Sequence, residues 1–206
     1  MSQKALDLFK ARFGDAVFAT GSTHGDEWAL VDGAHIVEMA KFLKTEADFE
    51  MQLLADLTAV DYSNFDPEQP LALDAKNRFE VVYSFGSVTK RHRLRLKVRC
   101  GGPDGEIVVP SITSVYRTAN WWERLVWDFY GIRFSDHPDL RRILTYDSFE
   151  GHPLRKDYPI HKRQPLTAER GMQDLVRGPG PGASDHHAPM SQRPGARPST
   201  RSDNYD

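Results

Sequence analysis

Cysteine occurs once in these 206 residues, at Cys100. That excludes a disulfide within the chain and any iron–sulfur cluster ligated by its cysteines alone. No run approaches the roughly 18 to 20 continuous apolar residues of a membrane span. The glycine fingerprints G-x-G-x-x-G and G-x-x-x-x-G-K-[ST] are missing, so neither a nicotinamide nor a nucleotide site is argued by motif, and no serine or cysteine sits in a nucleophile elbow. Charge of one sign is scarce too. The 27 Lys and Arg against 29 Asp and Glu leave a formal charge of -2, which gives no general pull toward nucleic acid or anionic lipid. The opening MSQKALDLFKARFGDAVF has no apolar signal core, and Asp7 and Asp15 argue against an acid-poor transit peptide. Cytosolic folding is expected, with any membrane association indirect.

What is present is periodic. Ala5, Leu6, Phe9 and Phe13 pattern an amphipathic helix ending at Gly14, and Ile36, Val37, Ala40 and Leu43 pattern a second. Between them, short strands are expected near Val17 to Ala19 and Trp28 to Val31, around a polar turn from Gly21 to Asp26. Met51 to Asp61 reads as a strand or strand–turn entering a polar, proline-containing loop from Ser63 to Pro70. The clearest alternation follows. Phe79, Val81, Tyr83 and Phe85, then Leu94, Leu96 and Val98 after a turn at Gly86 to Lys90, predict an antiparallel hairpin with one buried face. Its second strand turns Arg93, Arg95, Lys97 and Arg99 to the other face. With no aromatics interleaved and the chain slightly acidic, those cations read as a solvated face or one covered by an acidic partner rather than a nucleic-acid stripe.

From Trp121 to Pro159 the chain reads WWERLVWDFYGIRFSDHPDLRRILTYDSFEGHPLRKDYP. Asn120 as N-cap, Glu123 at the capping-box position and Gly131 as a stop predict a helix over Trp121 to Tyr130. Its stripe is Trp122, Leu125, Val126 and Phe129, with Arg124 and Asp128 one turn apart on another face. A short helix follows from Asp136 or His137, burying Leu140, Ile143 and Leu144. After Asp147, two X-Pro bonds and a glycine predict an extended strap, whose Arg155, Lys156 and Asp157 need a neighbour to satisfy them. His137 with Asp139 and His152 with Asp157 are the only candidate acid–base pairs, and each lies beside a proline in a strap-like segment. From about Lys162 prolines and glycines displace large apolar residues, so disorder is expected from about Gly178 unless a partner binds it, and His186 with His187 reads as polar sequence rather than a metal site.

This signature, an ER-x-x-x-D helix, GI-x-F, HPDLRRIL and GHPLRKD before an aromatic and proline, resembles the 30 kDa subunit family of respiratory complex I, known in bacteria as the C-type subunit. Leu57 to Tyr62 (LTAVDY), Val109 to Thr113 (VPSIT) and Ala119 to Trp121 resemble it in order and spacing, so the likeness spans about Lys4 to Pro159. Leu125 stands where the family usually has glutamate, and it fits the apolar stripe. The resemblance implies an α/β (α+β) fold, a mixed sheet with helices packed on it over 1–131 and an extended strap over 132–161; composition, not the resemblance, makes 162–206 a Pro/Gly-rich tail that is expected to be disordered. It implies a structural component of a proton-translocating NADH:quinone oxidoreductase, a translocase, with no catalytic, cofactor or metal residue in this chain. FMN, iron–sulfur clusters and quinone are expected in partner subunits. The expected partners are the 49 kDa-like (D-type) protein and neighbouring hydrophilic-arm subunits, on the cytoplasmic side of a bacterial inner membrane. The implied docking and strap-fixing residues are Glu123, Arg124, Asp128, His137, Asp139, Arg141, Arg142, His152, Arg155, Lys156 and Asp157. Two alternatives stand beside this: the equivalent subunit of a membrane-bound hydrogenase or other non-NADH oxidoreductase, and a nucleic-acid module using Arg93, Arg95, Lys97 and Arg99.

Overall fold

Five strands carry the body: β1 (Val17–Thr23), β2 (Asp26–Val31), β3 (Leu53–Asp61), β4 (Phe79–Ser87) and β5 (His92–Cys100), in the order β1-β2-β5-β4-β3. The computed structural model describes residues 3–63, 77–101 and 107–164. All neighbouring strands are antiparallel except β2 and β5, whose parallel pairing makes the sheet mixed, as expected. A parallel neighbour cannot follow through a tight turn. The chain therefore leaves β2, crosses as α2 (Ile36–Thr45), and lays down β3 and β4 before β5 returns.

The predicted hairpin is β4 and β5, and its alternation sets the core. Phe79, Val81, Tyr83, Phe85, Leu94, Leu96 and Val98 are all at most 1% exposed. Ile36, Met39, Ala40 and Leu43 of α2 fall at i, i+3, i+4 and i+7 and are fully buried in the same core. Phe9 of α1 (Gln3–Phe13) joins Phe13, Phe42 and Phe49 in an aromatic cluster with ring centroids 5.0–6.5 Å apart. Each such side chain contributes roughly 1.5–3 kcal/mol by leaving water, so the body rests on apolar burial.

Two expectations are corrected. First, β1 runs on to Thr23 through residues read as a polar turn, and the turn itself is only His24 and Gly25. Ladder pairing of Gly21 with Trp28 explains this: the indole lies over the glycine, where an added Cβ would sit 2.5 Å from the ring. Second, residues 136–144 form no helix, and Leu144, expected on its buried side, is 68% exposed. The N–H groups of Ile143 and Leu144 find a partner outside the segment.

The last elements are β6 (Val108–Pro110), α3 (Ala119–Tyr130) and β7 (Arg133–Ser135), with β6 and β7 in a parallel ladder that brackets the helix. From Asp136 to Gln164 the chain has no regular element. The proline-containing loop beyond Ser63 and the tail from Pro165 lie outside the described residues. Among the described residues no helix is long and apolar enough to cross a membrane.

Candidate functional site

Helix α3 organises the strap. It begins one residue before the expected cap: Thr118 holds the N-cap position without a side-chain bond, and Asn120 lies inside. Glu123 closes no capping box. Its carboxylate instead accepts from Ser111 Oγ at 2.6 Å and the Ile112 N–H at 2.9 Å, across the loop before the helix. Gly131 ends the helix as expected, at φ 74. A side chain there would collide with Arg155 and His152, each 2.5 Å from an added Cβ. On the expected stripe, Val126 is buried and Trp122, Leu125 and Phe129 are half-buried, whereas Glu123 and Asp128 are wholly buried. The helix therefore carries its two carboxylates inward, opposite to an ordinary amphipathic helix.

Asp128 is where the missing helix went. Its carboxylate accepts from the N–H groups of Ile143, Leu144 and Thr145 at 3.2, 3.0 and 2.9 Å, from the Thr145 hydroxyl, and from Arg142 at 2.8 Å. One side chain thus satisfies the donors a helix would have given to its own carbonyls. Burial alone would raise this carboxyl, but the bonds from Thr145, Leu144 and Arg142 outweigh it and bring it down to about 2. Arg142 also donates to the carbonyls of Phe149 at 2.8 Å and Gly151 at 3.1 Å, and its guanidinium lies over the Trp127 and Phe149 rings. The expected Arg124–Asp128 pair does not form. Arg124 reaches the carbonyls of Arg141 and Arg142 at 3.1 and 3.0 Å, because Asp128 turns inward and Arg124 outward along the strap.

Asp61, at the end of β3, is a second anchor that sequence reasoning missed, although LTAVDY contains it. Arg78 grips it with two bonds, at 2.9 and 2.7 Å, and the N–H groups of Ser63 and Lys156 complete the shell at 3.0 and 2.9 Å. Burial would raise Asp61; Arg78 and these N–H groups prevail and hold it well below the ordinary carboxylate range. Arg78 also pairs with Asp157 at 2.9 Å, so the far end of the strap is tied to the sheet. Between the anchors, Leu154 donates its N–H to the Phe129 carbonyl, Arg155 bonds the Tyr130 carbonyl, and His152 Nδ1 meets the Asp128 carbonyl at 3.0 Å. Gln164 closes the loop by bonding both backbone groups of Glu150 at 3.0 Å.

Glu123 is held differently: among the described residues its ionisable neighbour is not an arginine but His137, 3.9 Å away and equally buried. Burial pushes Glu123 up to about 7, with the Ser111 and Ile112 bonds offsetting part of the rise. Burial likewise lowers His137, the opposing bond from the Asn120 carbonyl notwithstanding. Because Asp139 donates its N–H to His137 Nδ1 at 3.0 Å, the proton of a neutral ring sits on Nε2, facing the Asn120 carbonyl at 3.2 Å.

Neither candidate acid–base pair is assembled. The Asp139 carboxylate pairs with Arg141 at 2.9 Å, and that of Asp157 with Arg78. Cys100 is buried and its thiol is pushed up to about 12 by burial, which makes it a poor nucleophile. No group of three or more His, Cys, Asp or Glu suited to a metal occurs among the described residues. The β5 cations are largely committed: Arg95 to Asp26 at 2.6 Å, Lys97 to Glu80 at 3.2 Å and Arg99 to Glu80 at 3.9 Å. An aromatic does sit among them after all, since Trp28 of the parallel neighbour lies 4.9 Å under Lys97.

The implied interface residues thus divide. Glu123, Arg124, Asp128, His137, Arg142, His152 and Arg155 fix the strap from within, while Asp139, Arg141, Lys156 and Asp157 face outward. Large apolar side chains accompany the outward set: Trp121, Leu144, Tyr146, Leu154 and Ile160 are exposed, Ile160 by 93%.

Residues 29–164 match the family described as the respiratory-chain NADH dehydrogenase 30 Kd subunit. The chain is 44% identical over 162 residues to the second C-type subunit of NADH-quinone oxidoreductase from Rhizobium etli, covering 77% of this chain and 80% of that protein. It is 41% identical over 159 residues to the C-type subunit of NADH-quinone oxidoreductase from Trichlorobacter lovleyi, covering 77% and 90%. Among solved structures, a trypsin-resistant fragment of Nqo5 matches with TM-score 0.53 and 25% identity, over 67% of this chain and 98% of the fragment. A chain of an archaeal membrane-bound sulfane sulfur reductase shares the fold, with TM-score 0.61 and 19% identity over 77% and 86%.

Proposed function

We propose a function that proceeds from one premise: the chain belongs to the family of the respiratory-chain NADH dehydrogenase 30 kDa subunit. It is a structural component of a proton-translocating NADH:quinone oxidoreductase. It binds no cofactor itself, leaving FMN, iron–sulfur clusters and quinone to its partners, and supports electron transfer by laying its strap on the 49 kDa-like protein. Its place is the hydrophilic arm, peripheral to the bacterial inner membrane on the cytoplasmic side.

The observation that carries this reading is a strap tied down by buried carboxylates, with large apolar side chains exposed on it and on the neighbouring helix α3. Buried carboxylates fix the backbone from 142 to 157 while Trp121, Leu144, Tyr146, Leu154 and Ile160 remain exposed. A preorganised backbone presenting exposed aromatic and aliphatic anchors with charged neighbours is what a protein interface requires. The nucleic-acid reading is weaker, because three of its four cations already hold carboxylates.

The test separates docking from folding. Replacing Trp121 and Leu144 together by Asp leaves the thermal midpoint of the isolated chain nearly unchanged, since both are solvent-exposed here, but lowers assembled complex and NADH-driven quinone reduction severalfold. Unaltered assembly sinks the proposed docking face. Flavin copurifying with the chain distinguishes this reading from the equivalent subunit of a non-NADH oxidoreductase.

A further inference from the structure

The sheet has a second face, away from the core, and it is neither flat nor neutral. A cleft of about 520 Å³ opens over β3, β4 and β5, and no strap residue lines it. Its floor is low because β4 places Ser84 and Gly86 there. The ladder sets Gly86 between Leu53 and Arg93, and Ser84 beside Arg95. An added Cβ on Gly86 would meet nothing nearer than the His92 carbonyl at 4.0 Å, so the space is open rather than filled. Leu53 and Val88, 45% and 71% exposed, offer apolar surface within it.

Charge marks the cleft further. Arg91 and Arg93 line it and make no ion pair among the described residues, while Arg95 alone is held, by Asp26. Deeper along β5, Lys97 and Arg99 have a carboxylate in Glu80. The turn that carries Val88 and Arg91 into the cleft is held from outside it: Thr89 donates to Glu50 at 2.7 Å, His92 Nε2 meets the Phe49 carbonyl at 2.9 Å, and Lys90 reaches the Ala47 carbonyl. A turn already held in this way loses less entropy when the cleft is filled.

We propose that this cleft is a second protein interface, separate from the strap, and that it takes an extended acidic segment of a partner protein. The segment's carboxylates pair with Arg91 and Arg93, and an apolar side chain between them rests on Leu53 and Val88 over Gly86. Arginine favours this occupant because its guanidinium matches a carboxylate in two-pronged geometry. Duplex or single-stranded nucleic acid fits less well. It needs many neutralised phosphates and open stacking faces, whereas the cleft offers two uncommitted arginines among the described residues and Trp28 lies beneath Lys97. The inference rests on the reading above in one respect, that the chain works inside an assembly.

A photo-cross-linking residue placed at Val88 in the full chain, expressed in its host, tests it on the purified complex. The expected product is a cross-link to a companion protein, mapped to a segment with at least two Asp or Glu. Its yield falls at least fivefold in Arg91→Glu/Arg93→Glu, and again in Gly86→Leu, which fills the floor from a backbone that tolerates a side chain. Companions present without a cross-link, a cross-link indifferent to both changes, or one to lipid, nucleic acid or this chain itself overturns the cleft and leaves the strap reading standing. A chain that purifies with no companion overturns both.

Discussion

The sheet body and the strap are ordered by different forces. In the body, apolar side chains alternate inward and the contacts are non-directional. In the strap from Asp136 to Gln164 little is fully buried, and order comes from two carboxylates, Asp61 and Asp128, that accept from backbone N–H groups far along the chain, with Glu123 facing the His137 ring beside them. A core tolerates hydrophobic substitution of similar volume. A buried, fully bonded carboxylate does not tolerate loss of its charge or its shape, because the partners it leaves behind are desolvated. The body is thus mutable in detail, and the strap is vulnerable at single atoms.

The strongest attempt to break this contrast is Asp128→Ala. It strands Arg142 and the N–H groups of residues 143 to 145, and losing one partner of such a buried pair costs about 3–5 kcal/mol. Hydrogen exchange should show lost protection over 142–155 and proteolysis should cut the strap, with the β4–β5 core still protected. Cooperative loss of the whole molecule would mean the two regions are one unit.

Proton linkage sharpens it with a smaller effect. Glu123 is raised to about 7, so its stabilising contribution is complete below its ordinary 4.5 and is lost as pH rises through about 7. Asp128 is depressed from 3.8 to about 2, so its contribution is present above 3.8 and is lost as pH falls toward about 2. Glu123→Gln should therefore remove roughly 3 kcal/mol of pH-dependent stability between pH 4.5 and 7, read as a flattened denaturation midpoint against pH, while leaving the acid limb in place. A slope unchanged by the substitution assigns the titration to another group.

Smallest is Tyr83→Phe in the body. The Tyr83 hydroxyl is buried without a hydrogen-bond partner, so its removal should be neutral or stabilising by up to about 1 kcal/mol. A clear loss in urea denaturation would show that polar geometry matters in the core as well.

Much of the body is legible from residue spacing. Phe79 to Phe85 and Leu94 to Val98 alternate, and Ile36 to Leu43 repeat at helical spacing, because local geometry alone maps those periods onto faces. The strap is legible in place but not in pairing. By spacing Asp128 belongs to Arg124, one turn away, yet its partners lie from 142 to 145. Asp61 and Arg78 carry no local mark of their role, since nothing nearby in sequence links the end of β3 to Asp157. The short helix expected after Asp136 fails for the same reason: a carboxylate on another element offers its N–H groups a better acceptor.

By itself, the sequence determined the helices, the hairpin, the C-terminal stop at Gly131, and which residue types crowd the stretch from Trp121 to Pro159, all consequences of short-range sterics and periodicity. Only the tertiary structure decided that β2 and β5 run parallel, which charges turn inward to hold the strap, and which apolar side chains are left facing out. Those outcomes depend on contacts between residues up to 95 positions apart, where burial and directional bonding, rather than local preference, choose the partner.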